Sequence, residues 1–387
     1  MFYLMSKKKL IYVSYNPLTE TLARDWFIEY LISKNITVEY WDLTILLRGE
    51  ISHARTITPS YVKIFNSYEK LQHAINDPEN IGAAYLMLLS YDGRRTRLYR
   101  IFSKYDCKMV YIRWAEMPIA NVKSRYWKIL YKWNQPIELV SDLYYVAKAI
   151  IFKKLNLIKK FEIVFAAGMY ASHNNYARRI VQINYSDFDK YRNASPFFLG
   201  EKKRYAVYLD TNLPYHTDLQ ICGEKGVDPE NYYKTLNNFF DLLENKFDLK
   251  ILIAAHPKAN YDSDYFSGRE VYYGETPEIV SGCEFVVVEH STSVSYAVVN
   301  YKPIVSIYTD EMKILYRHST MNWIEGVSQS LASQLLNISD VESLKCVVIP
   351  SINQKLYDRY KYNYITSAET ERRKSNEIFY HEIVKII

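Results

Sequence analysis

The chain has 387 residues, 49% of them hydrophobic and 24% charged, which describes a globular protein and excludes a disordered one. Its length exceeds one ordinary core and predicts two domains of roughly 150–200 residues. The net charge of +6 is modest, the four cysteines (Cys107, Cys222, Cys283, Cys346) have neither metal-ligand spacing nor the density of a disulfide framework, and no run of about 18 apolar residues suits a membrane-spanning helix.

Residues 10–15 read as a strand, 19–33 as a helix with Trp26, Phe27, Tyr30 and Leu31 on its apolar side, and 37–43 as a second strand. Further apolar runs at 83–90, 108–113 and 162–167 read as strands. The first ends in Tyr91-Asp92-Gly93 and the second in Trp114-Ala115-Glu116-Met117-Pro118, with a helix expected over 137–155. Residues 184–203 lose the rhythm and read as irregular, holding an interdomain linker at 191–203. A second series follows: strand 205–209, helix 229–245, strands 249–255 and 270–273, helix 276–281, strand 283–288, helix 293–300 and strand 303–306. Strands separated by helices give parallel sheets with right-handed crossovers. The expected fold is therefore α/β, with two domains (1–190 and 204–355) facing across a cleft. A C-terminal helix, 356–387, is expected to pack back on the first domain.

Chemistry-bearing residues gather at strand ends, where open α/β sheets bind their ligands. His256 follows the 249–255 strand directly, and Pro257 turns the chain out of the sheet, with Lys258 next. An imidazole there either donates to a phosphate oxygen, protonates a departing phosphate, or simply caps the strand. After the 283–288 strand, Glu289-His290-Ser291-Thr292-Ser293 opens a helix. Its hydroxyls and backbone N–H groups either bind an anion or serve as an ordinary N-cap. The segment Asp210 to His216 reads as a further cleft loop with no assigned role.

In order, strand context and spacing, His256-Pro257, then Gly274-Glu275-Thr276-Pro277-Glu278, then His290-Ser291-Thr292-Ser293 resemble the nucleotide-binding half of GT-B glycosyltransferases. Within that fold the pattern is most similar to bacterial enzymes using CMP-activated sugars, such as sialyl-, polysialyl- and Kdo-type transferases. Teichoic-acid glycerophosphotransferases that use CDP-glycerol share a similar arrangement, although Glu289 stands where they often carry Asp-Tyr. The resemblance covers 205–310 well and the first domain by its βαβ order alone. It implies two Rossmann-like domains, His256 and Ser291, Thr292 or Ser293 on the donor phosphate, and Glu275 and Pro277 beside the base pocket.

The first domain is expected to supply the acceptor site and a general base. Asp92 matches the second acid of the family's acidic-acidic-Gly motif, with Tyr91 in place of the first; otherwise it belongs to a plain Asp-Gly turn. Glu116 is the second candidate base, or else the ion-pair partner of Arg113. Tyr15 and Asn16 are expected on the acceptor side. Arg94, Arg95 and Arg97 either bind an acidic acceptor or form a solvated face.

The Asp-x-Asp pairs Asp187/Asp189 and Asp262/Asp264 follow no apolar strand. With a single donor phosphate, no metal and no cofactor are expected. The absence of Walker and G-x-G-x-x-G motifs argues against an ATPase or dehydrogenase. Between Lys123 and Lys160 nine Lys/Arg face only Glu138 and Asp142, interleaved with aromatics. That stretch reads either as an amphipathic helix with ordinary core aromatics or as a peripheral contact with an anionic membrane. Lys7-Lys8-Lys9 follow an apolar start, the reverse of a signal peptide, so a cytoplasmic location is expected, optionally at the inner face of the membrane. The expected activity is metal-independent, inverting transfer of a sialic- or Kdo-type sugar from a CMP donor to a glycan or glycolipid in bacterial surface polysaccharide or lipooligosaccharide synthesis, without nucleic acid. The alternatives are a UDP/GDP-hexose transferase, a CDP-glycerol-type glycerophosphotransferase, and a non-catalytic nucleotide- or sugar-binding protein.

Overall fold

Continuous apolar runs such as Lys-Leu-Ile-Tyr-Val-Ser make strands that are covered on both faces, and all six residues of β1 (Lys9–Ser14) are buried. The computed structural model describes residues 8–49, 56–114, 116–120, 136–173, 175–195, 197, 204–216, 225–317 and 319–387. The chain divides into two units. Met1–Trp114, Ile129–Asn184 and Ser367–Ile387 form the first, and Ala115–Lys128 with Tyr185–Thr366 the second.

In the first unit β1 is joined by β2 (Thr37–Asp42), β3 (Val62–Ile64), β4 (Ala84–Met87), β5 (Lys108–Arg113), β6 (Phe161–Ala167) and β7 (Ala177–Ile183). All pairings are parallel, in the order β3-β2-β1-β4-β5-β6-β7. The winding reverses between β1 and β4, the kind of switch point that opens a crevice at the strands' carboxyl ends. Trp41, Tyr85 and Phe102 pack edge to face beneath it, with ring centroids 5.6 and 5.2 Å apart.

The second unit holds β8 (Tyr205–Leu209), β9 (Lys250–Ala254), β10 (Val271–Tyr272), β11 (Val286–Val288), β12 (Ile304–Tyr308) and β13 (Gln334–Asn337). This sheet is also parallel, ordered β10-β9-β8-β11-β12-β13, and it switches between β8 and β11. The period of two along β8 splits its side chains between two cores. Ala206 and Tyr208 meet Phe239 and Phe240 of the helix Pro229–Phe247, while Val207 and Leu209 meet Val294, Tyr357 and Tyr360 on the other face. Asp228 starts that long helix by accepting the N–H of Asn231, with Pro229 pre-set for the first turn.

Several elements depart from the sequence reading. The helix expected over 19–33 is two, Glu20–Asp25 and Ile28–Ser33, broken at Phe27 with φ 61°. Residues read as irregular from 184 contain the helix Ser186–Asn193. Its polar sequence hides one apolar contact, the buried Phe188, and a buried carboxylate, Asp187, which accepts from Ser295 Oγ (2.6 Å) and Tyr296 OH (3.1 Å). The segment from 356 is not one helix. Gln354–Tyr360 and the wider turn Lys361–Ile365 lie in the second unit, and Ser375–Ile383 in the first, where Phe379 packs on Phe27 and Phe165. Of the basic-aromatic stretch, residues 123–135 lie outside the described residues.

The helix Pro136–Lys154 sits directly on the turn after β4. A Cβ at Gly93 would fall on the backbone carbonyl of Tyr145, so only glycine allows that approach. Gly93→Ala is therefore expected to cost about 3 kcal/mol in the first unit, read as a lowered urea midpoint; an unchanged midpoint would mean the helix is free to shift.

Candidate functional site

β8, β9 and β11 are neighbours, and each leaves the sheet carrying polar residues. Asp210, one residue past β8, is buried. Its Oδ2 accepts the N–H of His256 (2.9 Å) and the hydroxyl of Tyr261 (2.5 Å), and its Oδ1 accepts the N–H of Asn212 (2.8 Å). Burial raises its pKa against the pull of these donors. The carboxylate thus fixes where the β9 chain turns out. On that turn the N–H of Lys258 donates to Nδ1 of His256 at 3.2 Å. A neutral imidazole whose Nδ1 accepts carries its proton on Nε2, so His256 is set as a donor. His216 stands with its ring centroid 5.3 Å from that of His256.

β11 adds the third histidine. His290 stacks on Trp323 with centroids 4.6 Å apart and planes 9° apart. Burial, then the charge of His216, pushes its pKa down to about 4, so it is neutral at physiological pH. Ser291 accepts the N–H of Ser293 at 3.3 Å; Ser291 and Ser293 are half-buried and Thr292 is exposed. Just before them Glu289 is buried, its Oε2 accepting from Tyr232 OH (2.8 Å), Thr211 Oγ1 (3.0 Å) and Tyr208 OH (3.2 Å). Its Oε1 is buried without a hydrogen-bond partner. Burial pushes this carboxyl up to about 7, and nearby Asp210 adds to the rise.

The other expected donor residues are placed differently. Pro257 and Lys258 are exposed on the turn. Glu275 is exposed at the cap of the helix Thr276–Gly282, and Pro277 is buried in its first turn. Among the described residues no hydrogen bond or ring contact ties these two to the histidines. Glu116 belongs to the second unit, where it lines a small recess with Thr292, Ser295, Tyr185 and Tyr364. The Asp-x-Asp residues have structural partners. Asp187 is described above, Asp262 accepts from Asn260, and Asp264 accepts the N–H of Gly268.

The first unit gathers Tyr15, Asn16, Asp92 and Arg95 at the ends of β1 and β4. Asp92 accepts the N–H of Arg95 at 3.0 Å through Oδ1 and pairs with its guanidinium at 3.0 Å through Oδ2. Arg95 and Arg48 both lie over the ring of Tyr15, at 5.4 and 4.1 Å, and Arg48 donates to Oδ1 of Asn16 at 2.7 Å. Arg94 instead holds the neighbouring helix, pairing with Asp142 and lying 5.0 Å over Tyr145, while Arg97 lies over Tyr68. Arg113 donates to the carbonyl of His173 at 2.8 Å.

No family model matches the chain, and no curated protein matches it in sequence. Among solved structures, UGT2 of Phytolacca americana, complexed with UDP-2-fluoro-glucose and pterostilbene, matches with a TM-score of 0.54 at 10% identity, over 97% of this chain and 99% of that one. The chain has the GT-B glycosyltransferase fold. The wall teichoic acid polymerase TagF gives 0.52 at 12% identity over 98% of this chain and 90% of its own, and a TagF variant soaked with CDPG gives 0.53 at 11% over 98% and 89%. Identities this low speak to the fold alone.

Arg48, Tyr261, Trp323 and the role of Asp210 escape a motif search, because their positions become meaningful only once strand ends are neighbours. Glu289 yields a test. The folded protein holds its proton up to about pH 7, whereas the ordinary value is 4.5. Stability from this group is complete below about 4.5 and is lost as pH rises to about 7; His290 acts oppositely, losing stability as pH falls from 6.5 to about 4. Relative to wild type, Glu289→Gln should gain stability between pH 5 and pH 8, on the order of 3 kcal/mol at most. A constant offset between the two melting curves would contradict the buried acid.

Proposed function

We propose that this chain is a glycosyltransferase that moves a sialic- or Kdo-type sugar from a CMP-activated donor to a glycan or glycolipid acceptor. The observation that carries the reading is His256 just past β9, its backbone N–H held by Asp210 and its Nδ1 accepting from Lys258, which leaves Nε2 as the donor, with His216 beside it and the hydroxyls of Ser291, Thr292 and Ser293 following β11 of the same sheet. A neutral histidine, hydroxyls and backbone amides suit one departing phosphate. A pyrophosphate would call for more fixed positive charge.

In this reaction the acceptor hydroxyl oxygen attacks the anomeric carbon, and the bond from that carbon to the phosphate oxygen breaks. The electron pair leaves on CMP, whose phosphate takes a hydrogen bond from Nε2–H of His256. The acceptor's proton goes to a carboxylate, which we assign to Asp92, with Tyr15, Asn16 and Arg95 as acceptor contacts and Glu116 as the second candidate base. A CDP-glycerol-type or UDP/GDP-hexose transferase is the second reading, favoured by the fold shared with TagF and UGT2.

A thermal-shift series with CMP, CDP, UDP, GDP and ADP, with and without magnesium, separates these readings. Saturating CMP should raise the melting temperature by on the order of 5 °C, independently of magnesium, and not in His256→Ala. Selective stabilisation by CDP, UDP or GDP would replace the donor, and no response to any nucleotide would favour a non-catalytic protein. Asp92→Asn should keep the CMP response and lose about 10²–10⁴-fold in turnover; full turnover would remove Asp92 as the base.

A further inference from the structure

The helix Pro136–Lys154 is apolar on its outer side, against the usual rule for a surface helix. Its inner side seats Tyr145 on the Gly93 turn and packs Phe152 under Arg100. Outward stand Ile137, Val140, Tyr144 and Ile151, continuing to Leu155 just beyond the helix, and they are 86, 65, 56, 50 and 63% exposed. At 100° per residue these five share an arc of about 60°. No helix among the described residues is long and apolar enough to cross a membrane, so this strip lies along a surface and does not span one.

Near its C-terminal end the same helix lines an open cavity of about 880 Å³ through Lys148 and Phe152. Seven Lys and Arg side chains line that cavity, with Asp106 the one acid among the lining residues. Lys159 and Arg178 are held by Asp106 and Glu162. Arg97, Arg100, Lys104, Lys148 and Lys160 lie over aromatic rings and make no ion pair among the described residues.

An apolar strip beside uncompensated cations fits a partner that is apolar within and anionic at its surface. A free polyanion would use the cations and leave the strip bare. A second copy of the chain could cover the strip, but a symmetric pairing would bring the same cations together. We infer that this face docks on an anionic phospholipid bilayer, with the strip among the acyl chains and the cavity cations on the headgroups. The inference goes beyond the transferase reading and does not depend on its donor.

Sedimentation of the full chain with vesicles tests it. Vesicles of phosphatidylcholine containing phosphatidylglycerol should carry the protein down, and phosphatidylcholine alone should not. Val140→Glu with Ile151→Glu, and separately Arg100→Glu with Lys104→Glu, should each weaken binding roughly ten-fold or more, with far-UV circular dichroism and melting temperature unchanged. All four positions are surface side chains, so folding and docking are read independently. No binding to either vesicle, equal binding to both, or full retention by either double variant would overturn the inference. So would a wild-type dimer that the Val140→Glu, Ile151→Glu variant dissolves. Vesicle binding without any nucleotide response would leave docking intact while removing the transferase reading.

Discussion

One buried carboxylate organises the second unit. Asp210 lies at the end of the central strand, and a charge so placed is tolerable only when its oxygens are filled. Its donors come from far along the chain: the amide of His256 and the hydroxyl of Tyr261, as well as the local amide of Asn212. Satisfying it fixes how β9 exits the sheet and anchors the Tyr261 ring against Tyr265 and Phe266. The position of the His256 backbone is then a by-product of stability. The turn that carries His256 is held by a group that cannot release it without leaving a buried carboxylate short of donors.

A second carboxylate sets the electrical character of the same region. Glu289 collects three hydroxyls on one oxygen and, being buried near Asp210, holds its proton to about pH 7. His290, flat against Trp323, is held neutral by the same burial. The strand ends therefore offer dipoles more than fixed charge. The first unit solves the equivalent problem differently, since at its switch point Arg48 and Arg95 both lie over the Tyr15 ring and Arg95 also pairs with Asp92. Cations and an aromatic face define that position.

Much of this was legible from residue pattern. The long apolar strands, the helix Pro229–Phe247 and the positions of His256 and Ser291 to Ser293 at strand ends follow from runs of Val, Ile and Leu punctuated by polar residues. Of the edge strands, β10 was read from the sequence and β3, β7 and β13 were not. β7 is Ala-Arg-Arg-Ile-Val-Gln-Ile, a half-exposed edge whose arginines mask its period, and β3 and β13 are too short to signal. The helix Ser186–Asn193 was hidden because its stability comes from tertiary bonds to Asp187, which no local propensity encodes. In the site, short motifs located His256 but not Tyr261, Trp323 or Arg48, whose roles exist only across strands. Asp92 was visible as Asp-Gly, yet its pairing with Arg95 is a feature of the folded turn.

The proposed role of His256 requires its imidazole to be preset as an Nε2–H donor to a phosphate. Long-range ¹H–¹⁵N spectra of the histidine side chains, recorded at neutral pH without and with CMP, address it most directly. The Nε2–H tautomer is expected for His256 in the free protein, with a shift of that resonance when CMP binds. An Nδ1–H tautomer, or a His256 signal indifferent to bound CMP, would contradict it.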